Sequence, residues 1–132
     1  MTPDLVAMMP FARLVGLAVE RAAPEEVVGT LDWSPERCTT GGVLHGGAIV
    51  TLADTVGAIC AFQHLPPGTT TGTIESKTNF FRPLARGRAR ATARPLHVGR
   101  SFIVVQTDVV DDDGRRVAQV TQTQAVIQPR TT

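Results

Sequence analysis

A glycine pair and a lone carboxylate, Gly46-Gly47 and Asp54, are the parts of this chain best suited to chemistry on a carbonyl. They lie in GGVLHGGAIVTLADTVGAICAF, residues 41–62, where from Ala48 to Phe62 only Thr51, Asp54 and Thr55 carry polar side chains. A helix built from such a run is apolar nearly all round and is expected to be buried. Burying an unpaired carboxylate is costly unless hydrogen bonds or a raised pKa compensate, so Asp54 calls for a role. Gly46 and Gly47 fall where the first N–H groups of that helix point outward without intrahelical partners, at its positive dipole end. Donors of this kind stabilise the oxyanion formed when a carbonyl is attacked, and glycine lets a substrate come close to the backbone. His45, just before them, is expected to shape the turn as a cap or orienter.

The spacing constrains how these groups act together. Eight residues of helix span about 12 Å at roughly 1.5 Å each, so one copy cannot aim Gly46 and Asp54 at the same reacting carbon. If both act on one substrate, Asp54 comes from a second copy, and the active unit is a dimer with two equivalent sites.

The elements that must position these residues follow from pattern. A short helix is expected around Pro3 to Met9, and VVGTLDW at 27–33 reads as a strand leading through SPERCTTGG into the long helix. After a loop, LPPGTTTG at 65–72, four runs read as a β-meander: Thr73–Phe81, Arg86–His97, Phe102–Val110 and Val117–Ile127. Turn signals separate them, the last an Asp113-Gly114 pair suited to a tight hairpin. In the second run Arg86, Arg88, Arg90, Thr92 and Arg94 share one face, while Gly87, Ala89, Ala91 and Ala93 share the other. A face of such small side chains lets a helix lie close, so the expected class is α+β, one antiparallel sheet wrapped round one helix, with residues 1–132 as a single domain.

Composition narrows the partners. A net charge of +1 over 132 residues gives no global attraction to nucleic acid or to a membrane surface. The apolar helix is shorter than the roughly 20 residues a bilayer needs, and the first residues lack a secretory pattern, so a cytoplasmic location is expected. Cys38 and Cys60 have neither metal-ligand spacing nor a secreted context, and no metal is expected. Between Arg82 and Arg100 there are six arginines and no acid, a candidate site for a phosphorylated small molecule. Arg82 and Arg100, each in a turn-like context, are its strongest members. The chain has no tyrosine and one tryptophan, without the aromatic platform that single-stranded nucleic acid needs.

HGG at 45–47, LAD at 52–54, TIESKTNFFRP at 73–83 and PLHVGR at 95–100 followed by DDDG together resemble the hotdog-fold acyl-CoA thioesterases of the phenylacetic-acid-pathway and 4-hydroxybenzoyl-CoA group. The resemblance runs over most of the chain. It implies a sheet wrapped around the central helix, dimers that pair their sheets edge to edge, and further association into tetramers. It also implies that Gly46 N–H polarises the thioester carbonyl and that Asp54 of the partner subunit activates water or attacks the carbonyl itself. Thr73, or less closely Ser76, matches the family's hydroxyl residue near the acid. Gly47, Arg82, Gly99, Arg100 and Ser101 match positions that contact CoA and its phosphates. No cofactor is implied, since CoA is part of the substrate. Thr39 stands where the family tends to carry Asn or Gln six residues before the histidine. Two other readings are a non-catalytic acyl-CoA binding module and a hotdog dehydratase of 3-hydroxyacyl thioesters, the latter using His45 with the acid.

Overall fold

Alternation of arginine with alanine sets how deeply a helix can sit in this molecule. The computed structural model describes residues 4–130. Its elements are α1 (Pro10–Val15), β1 (Ala18–Ala23), β2 (Glu26–Asp32), a 3-10 turn (Pro35–Arg37), α2 (Gly46–Phe62), β3 (Thr70–Phe80), β4 (Arg88–Val98), β5 (Phe102–Val110) and β6 (Arg116–Ile127). The strands form one antiparallel sheet in the order β1-β2-β4-β5-β6-β3, curled around α2. Ala89, Ala91 and Ala93 are fully buried on the inner face of β4 and leave room for the helix. Leu52, Ala53, Val56 and Cys60 of α2 are buried completely, in one core with Val27, Leu31, Ile103, Val105 and Val109 of the sheet. Burial pushes the Cys60 thiol up to about 11, so at neutral pH it is an uncharged core side chain.

Gly29 of β2 marks the closest approach of helix and sheet. A Cβ there would run into Val56 Cγ1 and come within 3.2 Å of Ala18 O. Gly29→Ala is therefore expected to destabilise the fold by about 1–3 kcal/mol through overpacking. An unchanged denaturation midpoint would show that Val56 yields without cost.

The amino-terminal prediction shifts along the chain. Pro3 lies outside the described residues, residues 5–8 form a turn, and the helix occupies Pro10–Val15 instead. Pro10 supplies a preset φ at the first helical position, and Gly16, at φ +97°, ends the helix by donating its N–H to Ala12 O and Arg13 O. β1 was not anticipated, because AVERAA alternates too weakly to read as a strand. β3 starts at Thr70, three residues before the expected Thr73. β5 occupies the expected residues, and the β5–β6 hairpin turns at Asp113-Gly114 with Gly114 at φ +79°.

The two edges of the sheet differ. β1 has six residues, a register shift between Val19 and Arg21, and a fringe of ion pairs, Glu20–Arg90 at 2.6 Å and Arg21–Glu25 at 2.7 Å among them. β3 has eleven residues, pairs only with β6, and carries exposed Ile74 and Phe80. Among the described residues no helix is long and apolar enough to cross a membrane.

Candidate active site

The turn into α2 is clamped from both sides. Gly41 and Gly42, both in the left-handed region at φ +84° and +73°, bend the chain so that Cys38 bridges to Leu44. Leu44 N–H then donates to Leu84 O at 2.9 Å and His45 N–H to Arg37 O at 2.8 Å. The helix start is capped by His45, whose Nδ1 accepts from Gly47 N–H at 2.8 Å while its carbonyl accepts from Ala48 and Ile49. An accepting Nδ1 leaves the ring proton on Nε2, so His45 works as a cap in its neutral form. Gly46 N–H is left over: it has no acceptor among the described residues. Phe80 lies over it, with a Cβ on Gly46 predicted 3.2 Å from the ring Cζ.

Asp54 sits two turns further along α2. The expectation of a buried carboxylate is corrected here, since Asp54 is half-buried. The sheet wraps only one side of the helix, so a stripe through Gly47, Thr51, Asp54, Ala58 and Phe62 is left wholly or partly open, with Phe62 59% exposed. One oxygen, Oδ1, accepts both of the carboxylate's hydrogen bonds, from Thr73 Oγ1 at 3.2 Å and from Gln122 Nε2 at 3.3 Å. Oδ2 has no partner among the described residues. Thr73 in turn accepts from Gln124 Nε2 at 2.7 Å, which directs the threonine proton toward Asp54, and Thr71 Oγ1 lies 3.0 Å from Gln124 Oε1. Ser76 faces Gln122 across the β3–β6 ladder but makes no hydrogen bond to the acid, so Thr73 is the hydroxyl that reaches it.

Gln122 and Gln124 went unnoticed in the sequence, although a signal was there. Ala118, Val120, Gln122 and Gln124 occupy alternate positions of β6 and all four are buried, so the glutamines continue a core face. Polar residues in register with core positions require partners.

The arginine cluster dissolves into pairs. Arg88 binds Asp32 at 2.7 Å, Arg90 binds Glu20 at 2.6 Å and Arg94 binds Glu26 at 2.6 Å, each acid lying on β1 or β2. These three are outer-face ion pairs rather than an anion site. Arg82 and Arg100 make no ion pair among the described residues and are exposed. They do not converge within one chain. Arg100 lies in the β4–β5 turn between Gly99, whose N–H donates to Phe102 O at 2.9 Å, and Ser101, whose carbonyl accepts from Val126 N–H. Arg82 follows β3 beside Val117, at the opposite end of β5 and β6, nine residues of β6 from Val126 and so roughly 31 Å away at about 3.4 Å per residue.

Comparison with known proteins adds three findings. Residues 41–118 match the model of the thioesterase superfamily. A protein of Mycobacterium tuberculosis H37Rv that carries a provisional esterase name is 30% identical over 115 residues, covering 84% of this chain and 81% of that protein. The 1,4-dihydroxy-2-naphthoyl-CoA hydrolase of Escherichia coli K12 is 31% identical over 86 residues, 65% of this chain and 63% of the hydrolase. The crystal structure of a thioesterase from Haemophilus influenzae superposes with a TM-score of 0.89 at 25% identity, over 95% of this chain and 87% of that one.

Proposed function

This chain belongs to the thioesterase superfamily, as a thioester hydrolase of hotdog fold, and we propose that its substrate is an acyl-CoA, hydrolysed at sites shared between two copies. The observation that carries the reading is the pairing, on one helix, of an N–H without an acceptor at Gly46 and a carboxylate at Asp54 with one oxygen anchored and the other free. In the reaction Asp54 Oδ2 takes a proton from water as the water oxygen attacks the thioester carbon. The carbonyl electron pair moves onto oxygen, where Gly46 N–H of the partner subunit donates to it. The tetrahedral intermediate collapses, the C–S bond breaks, and CoA departs as thiolate, taking up the proton held by Asp54 and restoring the carboxylate. His45 caps the helix, and its Nδ1 is committed to Gly47, which weighs against a dehydratase that would need this ring on the substrate.

The open edge at β3 supports a dimer of this kind. Two β3 strands pairing antiparallel about a dyad between Ser76 and Lys77 set Thr73 of one copy opposite Phe80 of the other. Thr73 holds Asp54 and Phe80 covers Gly46, so the acid of one chain comes to the N–H of the next. The same operation brings the Gly99-Arg100-Ser101 turn of one copy toward Arg82 of its partner, which resolves their separation within a single chain. A groove of about 220 Å³ lined by Met8, Met9, Ala58, Ile59 and Phe62 begins one turn beyond Asp54 and contains no charged group. It suits an apolar acyl chain. Free thiols at Cys38 and Cys60 accord with the cytoplasm as the compartment.

Thiol release from a panel of acyl-CoAs tests the substrate class, and tight binding without turnover would overturn it. A second measurement addresses the nucleotide end. Arg82→Ala and Arg100→Ala are each expected to raise KM for acyl-CoA by about tenfold, the scale of one charged hydrogen bond, with KM for an acyl-pantetheine thioester unchanged. Equal losses on both substrates would make these arginines structural.

A further inference from the structure

Gly57 is the one glycine in the interior of α2, a position where alanine would favour the helix. Its absent side chain is what admits Gln122: a Cβ at position 57 would collide with Gln122 Oε1 and Cδ. Gln122 is fully buried, and its Oε1 has no hydrogen-bond partner among the described residues. A buried amide half-satisfied at the cost of a helix glycine is retained against stability, which points to the half that is bonded, Nε2 on Asp54 Oδ1.

We propose that Gln122, seated in the notch at Gly57, is a positioning residue that fixes the Asp54 carboxylate with Oδ2 turned toward the substrate. The proposal rests on the reading of Asp54 as the acid-base group. Asp54 and Gly57 are three residues apart on one face of α2, so the amide lies across the turn that separates them and contacts both. With Thr73, the amide brings two donors to a single oxygen, and two donors define the plane of the carboxylate where one would leave it free to swing. Among the described residues no other ionisable side chain bonds this carboxylate. Asp54 is the only charged residue of α2, Glu75 and Lys77 of β3 belong to the outer face by their ladder partners Thr123 and Thr121, and Arg116 at the far end of β6 pairs with Asp108 at 3.4 Å.

The test compares Gln122→Met, Gln122→Glu, Gly57→Ala and Asp54→Asn in steady-state hydrolysis, with kcat and KM read separately. Gln122→Met keeps the volume and removes the donor, and it is expected to lower kcat about ten- to a hundredfold with KM within twofold. Gln122→Glu exchanges the donor for an acceptor that cannot bond Asp54 Oδ1 and is expected to lower kcat at least as far. Gly57→Ala displaces the amide and is expected to reproduce the Gln122→Met phenotype, with the double variant no worse than either alone. A Gln122→Met protein with lowered melting temperature but wild-type kcat overturns the positioning role. If it does not fold, a wild-type kcat in Gln122→Glu or Gly57→Ala overturns it equally. Wild-type turnover by Asp54→Asn would instead overturn the reading of Asp54 beneath it.

Discussion

Replacing Asp54 by asparagine is expected to lower kcat for acyl-CoA hydrolysis by at least about a hundredfold, because positioned acid-base groups contribute about 10² to 10⁴. Asparagine is the informative substitution. Its Oδ1 can still accept from Thr73 and Gln122, which bond the wild-type carboxylate at 3.2 and 3.3 Å, so melting temperature and oligomeric state should stay unchanged. Alanine removes that acceptor as well and leaves the buried Gln122 amide with no partner at either end, adding a stability loss of about 1–3 kcal/mol. Comparable inactivation by both, with instability confined to alanine, separates chemistry from scaffold. Near-wild-type hydrolysis by the asparagine variant would remove Asp54 from the mechanism.

The second large effect concerns the proposed shared site. Gly46→Val denies the backbone N–H to a carbonyl by bulk and presses its side chain on the Phe80 ring, which a Cβ would meet at 3.2 Å. Each homodimer, Gly46→Val or Asp54→Asn, should then be nearly inactive. Mixed dimers differ, since one of their two sites joins an intact Gly46 from one chain to an intact Asp54 from the other. Random pairing of equal amounts makes half the dimers mixed, and half of the sites in those are whole, so about a quarter of wild-type activity should return after co-refolding. Verified exchange of subunits without any recovery would mean that Asp54 serves its own subunit.

How much could be read in advance depended on how local each signal was. α2 was legible because its glycine turn and apolar run are contiguous, and β4 to β6 because alternation and turn residues agree over nine to twelve positions. Asp54 stood out as the single charge in that run. β1 was missed because AVERAA has no clean period and draws its stability from Thr30, Val28 and Val27 opposite. The partners of Arg90 and Arg94 lie about seventy residues away, at Glu20 and Glu26, and no run of arginines discloses them. Gln122 and Gln124 were hidden for another reason. Alternating Gln and Thr reads as a polar strand until it is known which parity faces the helix, and that parity is decided by Ala118 and Val120 packing inward.

The contrast between the two edges of the sheet sets the valence of the molecule. Growth by strand addition needs two receptive edges per copy, just as a chain link needs two openings. β3 offers an eleven-residue edge whose outward N–H and C=O groups face no strand among the described residues, while β1 is short, kinked between Val19 and Arg21, and fringed by Glu20 and Arg21 held in ion pairs. With one receptive edge among the described residues the molecule has a valence of one, and the proposed β3 pairing would occupy the edge from which a fibre could extend.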